Sequence, residues 1–133
     1  MKAIADTGFL VAFANRKDNH HAWAIALAQE VDEPLLTCEA VLSEAAFHLR
    51  SSSVVLEMVQ DGLLTIAFDA KRHLTELGQL ATRYADRNAD LADLCLVRMS
   101  ELNPKHSVIT VDVKDFRVYR RNGRDMIPLI TPT

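Results

Sequence analysis

Four carboxylates stand in apolar sequence at points where the chain changes character: Asp6, Glu44, Asp93 and Asp112. Asp6 closes the run Lys2-Ala3-Ile4-Ala5, and Asp112 ends Ser107-Val108-Ile109-Thr110-Val111. Glu44 lies within Val41-Leu42-Ser43-Glu44-Ala45-Ala46-Phe47, and Asp93 within Asp90-Leu91-Ala92-Asp93-Leu94-Cys95. Carboxylates in half-buried places are costly unless something positive meets them. A divalent cation answers several at once, and oxygen ligands without nitrogen or sulfur suit Mg²⁺ or Mn²⁺, not zinc. Two such ions about 3.5–4 Å apart can activate a water and stabilise a leaving oxygen at phosphorus. The chemistry suggested is phosphodiester hydrolysis.

Two further acids extend the set. Asp90 lies three residues before Asp93, so both can face one side of a helix. Asp115 lies three residues after Asp112, in a segment that reads equally as turn or helix. Each acid also has a structural alternative. Asp6 before Thr7-Gly8 can cap a helix or organise a turn. Glu44 can reach solvent from a helix edge, Asp90 can favour the positive end of its helix, and Asp112 can serve a turn. Thr7 and Thr110, beside these acids, can bond a metal ligand or a phosphate, or only backbone groups.

The elements that must position these residues alternate. Strands are expected at Ala3–Asp6, Leu35–Cys38, Leu63–Phe68 and Ser107–Val111, with a fifth at Met126–Ile130 where Pro128 favours an edge. Helical segments fall at Phe9–Asn15, Asp18–Val31, Glu39–Arg50 and Ser53–Gln60, the last begun by Ser51-Ser52-Ser53 and ended by Gly62. Asp69 reads as a cap for a helix striped by Leu74, Leu77, Leu80, Ala81 and Tyr84. Asn88 reads as the cap of Asp90–Leu102, which stops before Pro104. The alternation predicts an α/β/α sandwich with a central, mainly parallel sheet of about five strands. Ligand crevices in such sheets lie beyond the carboxyl ends of the strands, where Asp6 and Asp112 stand.

The 133 residues fit a single domain, with ordinary globular composition and a net charge of −3. That charge argues against a general nucleic-acid sponge. Between Lys114 and Asp125, however, five basic residues (Lys114, Arg117, Arg120, Arg121, Arg124) face two acids. This local +3 could steer a polyanion; a solvated terminal loop is the alternative. Apolar runs fall far short of the roughly 20 residues of a membrane span, and the first residues lack a secretory apolar region. Cys38 and Cys95 lack metal-site spacing and read as buried thiols in a reducing, cytoplasmic compartment. His20, His21, His48, His73 and His106 read as surface or locally bonded histidines. Trp23, Phe47 and Tyr84 read as core or interface aromatics. No Walker loop, dinucleotide fingerprint or Gly-x-Ser-x-Gly elbow occurs.

The series Ile4-Ala5-Asp6-Thr7-Gly8, Val41-Leu42-Ser43-Glu44, Asp90-Leu91-Ala92-Asp93-Leu94 and Thr110-Val111-Asp112-Val113-Lys114-Asp115-Phe116 resembles a PIN domain. More narrowly it resembles the VapC-type toxin ribonucleases of toxin–antitoxin pairs, over almost the whole chain. The resemblance implies a PIN-like fold and an acidic pocket for Mg²⁺ or Mn²⁺ held by Asp6, Glu44, Asp93 and Asp112. Asp90 and Asp115 match positions often acidic in such relatives. It further implies RNA as substrate, a homodimer, and an antitoxin protein as partner. Two alternatives stay open: an RNA-processing nuclease, and a PIN-like module that binds RNA or a partner without turnover.

Overall fold

The computed structural model describes residues 1–132. Its centre is a five-stranded, all-parallel sheet with strand order β3-β2-β1-β4-β7. The strands are β1 (Ala3–Ala5), β2 (Leu35–Thr37), β3 (Leu64–Ile66), β4 (Ser107–Ile109) and β7 (Leu129–Ile130). β1 lies between β2 and β4, with Ile4 opposite both Leu36 and Val108, and all three of its residues are buried. A sheet covered on both faces favours such unbroken apolar strands over alternating ones.

Helices α1 (Thr7–Ala14), α2 (His21–Gln29), α3 (Glu39–Leu49) and α4 (Ser52–Gln60) precede β3. After it come α5 (Leu74–Arg83), entered through a 3-10 turn capped by Asp69, then α6 (Leu91–Leu102) and the single-turn α7 (Val113–Phe116). The expected α/β sandwich is therefore observed. α1 is apolar nearly all round and packs against α2 and α3. α6 is likewise buried along most of its length and packs on β1 and β4. Among the described residues no helix is long and apolar enough to cross a membrane.

Gly8 explains how α1 comes so close to the end of β4. A Cβ at this position would lie 2.3 Å from Cγ2 of Val111, well inside van der Waals contact. Only a residue without a side chain lets the two chain segments meet here.

Several details differ from the sequence expectations. Asn88 does not cap α6: it adopts a left-handed conformation (φ 51°) closing the 3-10 turn Ala85–Arg87, and Asp90 is the cap. Asn tolerates that conformation, whereas the Asp90 carboxylate can accept the free Asp93 N–H. In the α5 stripe Leu77, Leu80 and Tyr84 are buried, but Leu74 and Ala81 face solvent. Phe47 stands outside the core at 79% exposed.

The expected fifth strand is divided. β5 (Arg120–Arg121) and β6 (Asp125–Met126) form an antiparallel hairpin, and only β7 joins the main sheet. Pro128 separates the two pieces. It has no N–H to give, but its carbonyl accepts from Val108 at 2.8 Å, consistent with its edge position. Asn122 and Gly123 in the hairpin loop have φ of 51° and 72°. Asn-Gly is a hairpin-turn pair, a signal that the expectation of a single strand at Met126–Ile130 missed.

Candidate metal centre

The carboxyl ends of β1 and β4 open into a cleft of about 440 Å³. Asp6, Glu44, Asp90, Asp93 and Asp112 all line it. Asp115 is not in that lining, yet one oxygen each from Asp93, Asp112 and Asp115 lie within 4.8 Å of one another. Five of the six acids thus line one cleft, and the sixth approaches two of them.

Capping builds much of this arrangement. Asp6 caps α1, Asp90 caps α6 and Asp112 caps α7, each carboxylate accepting a backbone N–H of its own first turn. The structural and functional alternatives for these acids are therefore compatible: one oxygen holds the helix, leaving capacity on the carboxylate for a ligand. The positive ends of these helices also partly offset the negative charge gathered in the cleft.

Asp6 is buried. Its Oδ1 accepts from Thr7 N at 2.6 Å and its Oδ2 from Thr110 Oγ1 at 2.7 Å. Thr110 Oγ1 in turn accepts from Asp112 N at 2.9 Å, so one hydroxyl links two of the acids. Burial pushes the Asp6 carboxyl up to about 6, against the pull of the Thr110 and Thr7 hydrogen bonds and with added repulsion from Asp112 and Glu44.

Asp93 is also buried, and its Oδ2 accepts the Tyr119 hydroxyl at 2.8 Å. Burial raises its pKa to about 7; the Tyr119 bond lowers it, while Asp6, Asp90 and Asp112 raise it further. Burial likewise raises Asp112. None of these carboxylates forms an ion pair among the described residues.

Asp115 supplies the contrast. Arg87 donates to its Oδ1 at 2.6 Å, and that hydrogen bond holds its pKa below the usual carboxylate range. Asp6 and Asp93, the more deeply buried acids, have only neutral donors. Their desolvated, acceptor-rich oxygens fit a hard divalent cation, and the neighbouring carboxylates supply further oxygen ligands.

Arg87 and Tyr119 escaped the sequence reading, since their partners lie 28 and 26 residues away. His20, Asp18 and His48 also line the cleft, with no local sequence signal to place them there. The basic segment is partly committed to structure. Arg120 donates to the carbonyls of Arg117, Val118 and Tyr119, and Arg121 to those of Pro104 and His106. Scanned against protein-family models the chain matches none, and no curated protein matches it.

Proposed function

We propose that this protein is a Mg²⁺- or Mn²⁺-dependent endoribonuclease of the PIN type, acting in the cytoplasm as the toxin of a type II toxin–antitoxin pair. The observation that carries the metal-dependent reading is the pair Asp6 and Asp93. Both are buried beside other acids with no cationic partner, and both have carboxyl groups pushed well above the ordinary range. Asp115 with Arg87 illustrates how the same fold neutralises an acid by a side chain of its own.

Asp6, Glu44, Asp93 and Asp112 would hold the cation, with Asp90 and Asp115 assisting through water or orientation. The chemistry supplied by a bound cation is polarisation of the phosphodiester and activation of water. Thr110 holds Asp6 and positions the backbone of Asp112, while Tyr119 fixes the rotamer of Asp93. Such supporting bonds keep ligand oxygens aimed. The narrower toxin reading, with RNA as substrate, an antitoxin as partner and a homodimer as assembly, is what the resemblance of the acidic series to VapC-type ribonucleases implies.

The test is incubation of the purified protein with a panel of structured and single-stranded RNAs in Mg²⁺, in Mn²⁺ and in EDTA. Internal cleavage with either ion and none in EDTA is expected. Equal cleavage in EDTA, or none with any metal and RNA, contradicts the proposal.

A further inference from the structure

The cleft's charge raises a question about its substrate. Its lining holds six carboxylates (the five above and Asp18), two histidines, and no lysine or arginine. Two divalent ions would bring four positive charges against those six carboxylates. A phosphodiester adds another negative charge, so hydrogen-bond donors from the protein are needed wherever the cations do not reach. Arg120 and Arg121 are tied to backbone carbonyls outside the cleft.

Donors are present around α1 and at the end of α3. His20, just before α2, has its backbone N–H held by Asp18 Oδ1 at 2.8 Å, and its ring meets Trp23 edge-on at 6.4 Å. His48, in the last turn of α3, meets the Phe47 ring at 5.6 Å. Thr7 adds an independent sign of a ligand. It lines the same cleft, only 6% of its surface is exposed, and its Oγ1 finds no hydrogen-bond partner among the described residues. A buried hydroxyl left unpaired in a ligand-sized cleft is usually completed by a ligand or a water.

We propose that Thr7, His20 and His48 form a phosphate-binding wall that receives the backbone oxygens of single-stranded RNA beside the acidic centre. The choice of RNA rests on the ribonuclease reading; the donors themselves fit any phosphodiester backbone. Imidazole N–H groups and a hydroxyl can donate to phosphate oxygens while leaving the bases unread, so the wall contributes affinity and register, not sequence preference.

The test is binding without turnover: fluorescence anisotropy of a labelled, mixed-sequence single-stranded RNA in Ca²⁺, which accepts oxygen ligands in flexible geometry. The double variant His20→Ala/His48→Ala is expected to weaken RNA binding about 10-fold or more. The Ca²⁺-dependent rise in melting temperature should be unchanged, showing an intact fold and metal centre. The same bases on an uncharged morpholino backbone should bind weakly and respond little to the histidine changes. Unchanged RNA affinity in the double variant, or equal histidine dependence with the uncharged backbone, overturns the proposal. Histidine-dependent RNA binding by a protein that cuts no RNA would support the wall and refute the nuclease reading.

Discussion

Tyr119 donates its phenolic hydrogen to Asp93 Oδ2 across 2.8 Å, tying the segment after α7 to the first turn of α6. A hydrogen bond to the ionised form favours ionisation, so this contact lowers the Asp93 pKa against the effect of burial. Tyr119→Phe should therefore raise that pKa further and shift metal binding to higher pH. We expect metal affinity near neutrality to fall on the order of 10-fold, the scale of lost supporting bonds at metal ligands. Titrating Mn²⁺ against the variant by calorimetry at several pH values checks this. An affinity and pH profile equal to the parent's would remove Tyr119 from the metal centre.

Asp93 should destabilise the metal-free protein. Its folded pKa, about 7, lies above the ordinary aspartate value of 3.8. Between those values the folded state holds more protons than the unfolded state, so stability falls as pH rises through the window and stays low above it. Asp93→Asn keeps an acceptor for Tyr119 and removes the charge. In EDTA near pH 8 it should be more stable than the parent by on the order of 2 kcal/mol, with the advantage fading toward pH 4. Urea denaturation at both pH values measures the difference. A variant less stable at the higher pH would contradict the unpartnered-charge account.

A bound cation should reverse that penalty, because it favours the ionised carboxylates. With Asp6 near 6 and Asp93 near 7, protons compete with the metal below those values. The rise in melting temperature produced by Mg²⁺ or Mn²⁺ should accordingly be large near pH 8 and small near pH 5. Thermal denaturation with and without EDTA provides the comparison. A shift independent of pH would locate the cation elsewhere.

Much of this arrangement was legible in the sequence because its signals are local. Asp6 directly follows β1, Asp112 lies three residues past the end of β4, and Asp90 and Asp93, at the start of α6, both line the cleft. The parallel sheet followed from alternating elements. Tyr119 and Arg87 were not legible, since only the folded chain brings them to Asp93 and Asp115. The histidines likewise reach the cleft through the turn before α2 and the end of α3, with no motif of their own. The β5–β6 hairpin was legible in Asn122-Gly123; reading Met126–Ile130 as one strand passed over both that signal and the break at Pro128.

Gly8 gives the fold's part in the site a direct test. Gly8→Ala places a methyl group 2.3 Å from Val111 Cγ2, forcing α1 and the β4–α7 connection apart. Overpacking of this kind costs about 1–3 kcal/mol. It should also strain the Thr110–Asp6 hydrogen bond and reduce activity. Adding Val111→Ala removes the clashing methyl groups, so the double variant should recover part of both losses. Additive effects in stability and cleavage measurements would argue against this contact as the cause.

The most direct measurement compares RNA cleavage by the parent, Asp6→Asn and Asp93→Asn proteins in saturating Mg²⁺ or Mn²⁺, alongside circular dichroism of each. Both variants should stay folded, with cleavage reduced at least about 100-fold, the scale on which removing charge stabilisation slows catalysis. Full cleavage by both folded variants would contradict an active metal centre built on these two buried carboxylates.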